Sequence, residues 1–93
     1  MTKEEFMGAE LDKFIQQGHP LIAEELVIGE GHHLEALVTL AMVPRQEQSL
    51  WLKSIRKDCL EKNIDHTKEC LRQRAKGQQV KALQKLKEAN DVS

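Results

Sequence analysis

The chain has few of the residues that build β-rich or disulfide-stabilised domains. Of its 93 residues, only Phe6, Phe14 and Trp51 are aromatic, and there is no tyrosine. Its two cysteines, Cys59 and Cys70, are too few for a disulfide scaffold and lack the spacing of a zinc motif. Leucine and alanine supply most of the apolar content, which favours helices over a sandwich or barrel.

Long apolar stretches are also missing. No run of about 18 apolar residues is present, so we expect no transmembrane helix. The first residues, Met-Thr-Lys-Glu-Glu, lack the basic and then apolar layout of a signal peptide. We therefore expect a cytoplasmic protein without a membrane partner. Cys59 and Cys70 lie at nearly equal distances from residues 63–65 and could face each other across a helical hairpin and form a disulfide, which that reducing compartment disfavours.

Length and charge indicate one domain over residues 1–93 with two electrostatically different halves. Residues 1–44 hold two basic and eight acidic side chains, a net charge of −6. Residues 45–93 hold twelve basic and seven acidic ones, a net charge of +5. The contrast indicates that the halves attract each other or face different partners.

Apolar periodicity predicts an all-α fold with five helices: three short helices followed by a longer antiparallel helical hairpin. Thr2 and Glu5 match a capping box at the start of helix 1, and Gly18 is expected to end it. Helix 2 is predicted from Pro20 to Ile28, and helix 3, the most apolar and central one, from His32 to Met42.

Pro44 is expected to open helix 4. A turn is predicted at 63–65, with Asp65 as the N-cap of a long helix 5 that reaches about Asn90. One alternative concerns residues 20–43. Two apolar runs around Gly-Glu-Gly also fit a β-hairpin, although the second run has helical rather than alternating spacing.

The segment Gly29–Glu30–Gly31–His32–His33 resembles a ligand loop only superficially. Glu30 would repel a phosphate, and no Lys-Ser/Thr pair follows the glycines. Adjacent histidines on a helix point about 100° apart and rarely share a metal ion. We therefore interpret the segment as a corner between two helices.

Other candidate sites are equally weak. His19 offers a further imidazole near His32 and His33, and His66 with Cys70 and Cys59 offers three ligands for zinc, but neither set has an established motif. No nucleophile motif or deep pocket is indicated. We expect no enzyme, no metal and no cofactor.

The strongest feature is an apolar seam on helix 5, bordered by basic side chains. Small residues along it permit close approach of another helix, and four short helices cannot cover its whole length. The predicted partner contacts and orienting charges are Leu71, Arg72, Ala75, Lys76, Val80, Lys81, Ala82, Leu83 and Leu86.

These observations predict a non-enzymatic protein–protein interaction module, such as an adaptor, small chaperone or regulatory subunit. It would dock a partner protein or a second copy, as a homodimer, on the seam of its C-terminal helix. The alternative is a nucleic-acid-associated regulator that uses the Lys/Arg-rich face of residues 53–87. The near-neutral charge and the lack of aromatics on helix 5 favour the first hypothesis.

Overall fold

The structure, a computed structural model, describes residues 2–61 and 66–91, and this part of the chain is helical without any strand. The all-α prediction is therefore confirmed, and the β-hairpin alternative for residues 20–43 is wrong. The described residues form four α-helices instead of the predicted five. They are α1 (Lys3–Ile28), α2 (His32–Leu40), α3 (Gln48–Ile55) and α4 (Thr67–Asp91), with a 3₁₀ turn at Arg45–Glu47 and a π-helical turn at Arg56–Glu61 on either side of α3.

Predicted helices 1 and 2 form one continuous helix, α1, which passes through Gly18 and Pro20. The reason is a buried stripe that runs across both residues and comprises Leu11, Ile15, Gly18, Ile22 and Leu26. Proline inside a helix costs about 3 kcal/mol. Each buried leucine or isoleucine contributes roughly 1.5–3 kcal/mol, so the stripe outweighs the interruption. The capping box at Thr2 and Glu5 is confirmed.

The helix α2 ends two residues earlier than predicted. Its last turn closes with hydrogen bonds from the Val43 N–H to the Val38 carbonyl and from the Met42 N–H to the Thr39 carbonyl. This Schellman pattern needs a left-handed residue at Met42, whose φ is 59°. Glycine is the usual residue there, so Met42 holds an unfavourable backbone conformation.

The long helix α4 packs chiefly against α1, in antiparallel orientation, and the predicted hairpin of helices 4 and 5 is not confirmed. Gln79 is 3% exposed, and its amide donates to the Met7 carbonyl of α1 (3.2 Å) and to the Leu40 carbonyl of α2 (2.9 Å). One buried side chain therefore ties three helices together. The predicted turn at 63–65 and the N-cap Asp65 lie outside the described residues.

Cys59 and Cys70 form a disulfide, with their Cα atoms 5.5 Å apart. The pairing that a reducing compartment disfavours is thus present, because the π-helical turn and the first turn of α4 bring the two side chains together. The Thr67 hydroxyl also donates to the Cys59 carbonyl (3.3 Å). Cys59 belongs to the core, with no exposed surface. No helix in residues 2–61 and 66–91 is both long and apolar enough to span a bilayer.

Candidate functional site

The Gly29–His33 segment is a corner between α1 and α2, as predicted. Glu25 reaches across it from the last turns of α1. One carboxylate oxygen accepts from the backbone N–H groups of His33 (2.8 Å) and Leu34 (3.1 Å), and the other lies 2.5 Å from His33 Nδ1. The carboxylate thereby caps α2 from outside, which Gly31, the residue before the helix, cannot do.

Electrostatics agree with this geometry. Desolvation raises the pKa of Glu25, but the hydrogen bonds from the His33 ring and from the two backbone N–H groups outweigh it, so the pKa is lowered. Gly31 is essential to the arrangement, since a Cβ at this position would overlap the Glu25 side chain. The corner is therefore structural, and its polar groups are used within the fold.

The candidate metal ligands do not converge. In the described part of the chain, no three His, Cys, Asp or Glu side chains are grouped so that they could hold a metal ion. His32 is fully exposed beside Glu35, and His33 is occupied by Glu25. Cys59 and Cys70 are joined, so they present no thiolate next to His66.

The nine predicted partner contacts separate into three groups. Leu71 and Ala75 are 1% and 0% exposed and belong to the core, so this fold leaves them unavailable to a partner. Arg72 and Lys76 both bind Asp12 of α1, at 3.0 and 2.8 Å. The remaining five all lie beyond residue 79 and line two surface cavities: Val80, Lys81, Ala82, Leu83 and Leu86.

Ion pairs also reduce the charge that α4 presents. Besides the two contacts with Asp12, Arg74 lies 3.4 Å from Asp58, and Lys87 lies 2.8 Å from Glu4. Desolvation raises the pKa of Asp12, but hydrogen bonds from Lys76 and Arg72 outweigh it and the pKa is lowered. Much of the basic face of α4 is therefore used to bind the acidic helix α1. This accounts for part of the charge contrast between the two halves.

Two exposed apolar side chains in the second half of α4 face different neighbours. Val80 is 54% exposed and, with Leu83, lines a cavity against the first turns of α1. Leu86 is 52% exposed and, with Ala82, faces the connection between α2 and α3. The second side continues along α4 into an adjoining cavity beside α3.

We call this feature the α3–α4 groove. It consists of two adjoining cavities of about 270 and 510 Å³ that share Glu47, Gln78 and Lys81. Along α4 it extends from Gln73 to Leu86, roughly 20 Å at 1.5 Å per residue. Its apolar lining is formed by Met42, Pro44, Leu50, Trp51, Ala82 and Leu86.

The groove has an open floor and a basic edge. Gly77 lines the floor of the groove, and a Cβ at this position would meet no atom within 4 Å. Lys81 and Lys85 stand along the α4 edge and form no ion pair with any described side chain. At the opposite end, Arg74 is held by the Ser54 hydroxyl (2.5 Å) as well as by Asp58.

Sequence reasoning located one wall of this groove and missed the other. The α4 residues were found from helical spacing, but Met42, Leu50, Trp51 and Gly77 were not recognised as part of a surface. Two signals were available. Leu50 lies outside the apolar arc of its helix, and Gly77 occupies an outward position in the middle of a helix, where alanine is more stable.

Comparison of the chain with protein-family models, with curated proteins and with solved structures gave no match.

Proposed function

We propose that this protein is a non-enzymatic interaction module that binds an amphipathic helix of another protein in the α3–α4 groove. The observation that carries the proposal is a groove roughly 20 Å long with an apolar lining and an open floor. An α-helix of about 13 residues has that length. Helix-in-groove recognition uses this combination of an apolar floor and charged edges.

The residues of the groove suit such a partner. Leu50 is 70% exposed, and burying it together with Leu86 would remove apolar surface from water. Trp51 is half-buried, and tryptophan is enriched among the residues that dominate binding energy. Gly77 lets a second helix approach the backbone of α4 closely. Met42 adds an apolar wall from a strained turn, and such strain is often found at functional sites.

Charge favours a partner helix with an acidic edge. Lys81 and Lys85 lie one turn apart on α4 and have no partner among the described side chains. On the other side, Glu47 is the single acidic residue among the described residues that line the groove. A helix with glutamates toward α4 and leucines toward Trp51 would therefore complement both edges.

The test uses Trp51, the only tryptophan of the chain, as a reporter. Two tryptophan-free amphipathic peptides of about 14 residues carry the same leucine face, with glutamate along the edge of one and lysine along the edge of the other. We expect the glutamate peptide to change Trp51 fluorescence in a saturable manner and to bind more tightly than the lysine peptide. Equal binding of the two, or none, would contradict the proposal.

Two substitutions at one site provide matched variants. Gly77→Glu fills the floor of the groove and places a carboxylate one turn from Lys81, where the pair supports the helix by about 0.2–0.5 kcal/mol. The variant should fold normally and lose the acidic peptide. Gly77→Ala adds one methyl group to open space and should retain binding. Loss of binding in both variants, or in neither, would argue against the groove.

Size-exclusion chromatography with light scattering distinguishes a second copy from another protein as the occupant. We expect a monomer at micromolar concentration. If the protein is a dimer and Gly77→Glu dissociates it, the occupant of the groove is a second copy of the chain and not an acidic helix of another protein. A random DNA duplex serves as the probe for the nucleic-acid alternative, which requires binding that weakens steeply as salt is raised.

A further inference from the structure

A second concave surface lies on the opposite side of α3, next to the Gly29 corner. We call it the corner pocket. It has a volume of about 510 Å³. Leu26 of α1, Leu34 of α2 and Leu52 of α3 form its apolar part. Arg45, Lys53 and Arg56 surround that part with positive charge.

The three cations of the corner pocket share one face of the chain around α3. Lys53 and Arg56 are three residues apart and lie on one side of the chain at the end of α3, and Arg45 lines the same pocket from the 3₁₀ turn before α3. Ser49 lies between them on that side and offers a hydroxyl donor. Among the residues that the structure describes, no acidic side chain lines the pocket.

These cations differ from those of α4 in one decisive respect. Arg72, Arg74, Lys76 and Lys87 each lie within 4 Å of a carboxylate. Arg45, Lys53 and Arg56 form no ion pair with any side chain in the described parts of the chain. Like charges brought together without a counter-charge repel one another, and a concave surface with apolar walls focuses their field on the space between them.

We propose that the corner pocket binds a phosphate monoester that carries an apolar group. A dianionic phosphate matches three cations better than a singly charged carboxylate does. Arginine binds phosphate through two parallel N–H donors, which fixes its orientation as well as its position. The apolar group would lie on Leu52, which is half-buried, over a floor formed by the core residues Leu26 and Leu34, each 2% exposed. Such a ligand is either a soluble metabolite or the headgroup of a lipid, since both present the same chemistry.

An NMR titration of the ¹⁵N-labelled full chain with phenyl phosphate tests this. We expect saturable shifts of the Gly29 and Ser49 amide signals, and weaker shifts with inorganic phosphate, which lacks the apolar group. Arg45→Gln/Arg56→Gln should weaken binding by about tenfold or more, because each charge-assisted contact is strong. Lys57→Gln, which removes an adjacent charge outside the pocket, should change it less than about twofold.

Vesicle co-sedimentation then separates the two sources. Binding to phosphatidic acid vesicles but not to phosphatidylcholine vesicles, lost in the double variant, identifies a lipid headgroup. Phenyl phosphate binding without vesicle binding identifies a soluble ligand. Absence of both, or equal binding by the wild type and the double variant, would overturn the proposal. A DNA duplex that shifts the same signals while phenyl phosphate does not would also overturn it.

Discussion

Gly31→Ala is the sharpest test of how the corner between α1 and α2 is built. The substitution has two separate effects. Gly31 has φ 152°, a conformation that L-residues rarely adopt, and a Cβ there would overlap the Glu25 side chain. Gly29 supplies a natural comparison. It also has positive φ, at 103°, but a Cβ there would meet no atom within 4 Å.

The backbone effect alone sets a lower limit on the loss of stability that Gly31→Ala causes. Holding a non-glycine residue in a sparsely populated region costs about 1–3 kcal/mol. In a domain of this size each kcal/mol lowers the Tm by roughly 4–8 °C. Gly29→Ala should show only this effect. Gly31→Ala should exceed it, because the added methyl group also displaces the Glu25 carboxylate from the N–H groups of His33 and Leu34.

Thermal and urea unfolding of four proteins forms the assay: the wild type, Gly31→Ala, Glu25→Ala and the double variant. Because Glu25→Ala removes the overlapping side chain, Gly31→Ala should cost less in that background, about as much as Gly29→Ala does in the wild type. The two changes should therefore be strongly non-additive. Additive losses, or equal losses for Gly31→Ala and Gly29→Ala in the wild type, would refute this account of the corner.

Three further predictions concern the core and the charged contacts. Reduction of the Cys59–Cys70 disulfide, which closes a sequence separation of 11, should lower the free energy of unfolding by about 3 kcal/mol, measured by urea titration with and without reductant. Gln79→Leu should cost about 1–3 kcal/mol, because it leaves the Leu40 carbonyl without its donor; a neutral result would contradict the role assigned to that amide. The lowered pKa values of Glu25 and Asp12 mean that their stabilising contribution is complete above the usual carboxyl range, about pH 4–4.5, and is lost as pH falls through the lowered values. The free energy of unfolding, measured between pH 6 and 2, checks this. A free energy of unfolding that rises as pH falls would contradict the predicted direction.

The groove and the corner pocket illustrate how much function-related geometry escapes sequence reasoning. Helical spacing correctly located Ala82 and Leu86 on one side of the last helix. It did not show that Leu71 and Ala75, on the same stripe, are covered by the chain itself. Burial depends on which helix packs alongside, and the spacing of a single helix carries no information about its neighbour.

The sequence by itself determined the all-α class, the capping box at the N-terminus, the corner at Gly29–Gly31 and the long C-terminal helix. Each depends on contacts between residues close along the chain, and such contacts leave a local pattern. Tertiary structure alone decided that α1 continues through Gly18 and Pro20 and that α4 lies on α1. It also decided that Cys59 and Cys70 meet and that Gly77 opens a groove beside Trp51. In these cases burial shared between distant segments outweighs local preference, because its free energy is several times that of a single helix-breaking residue.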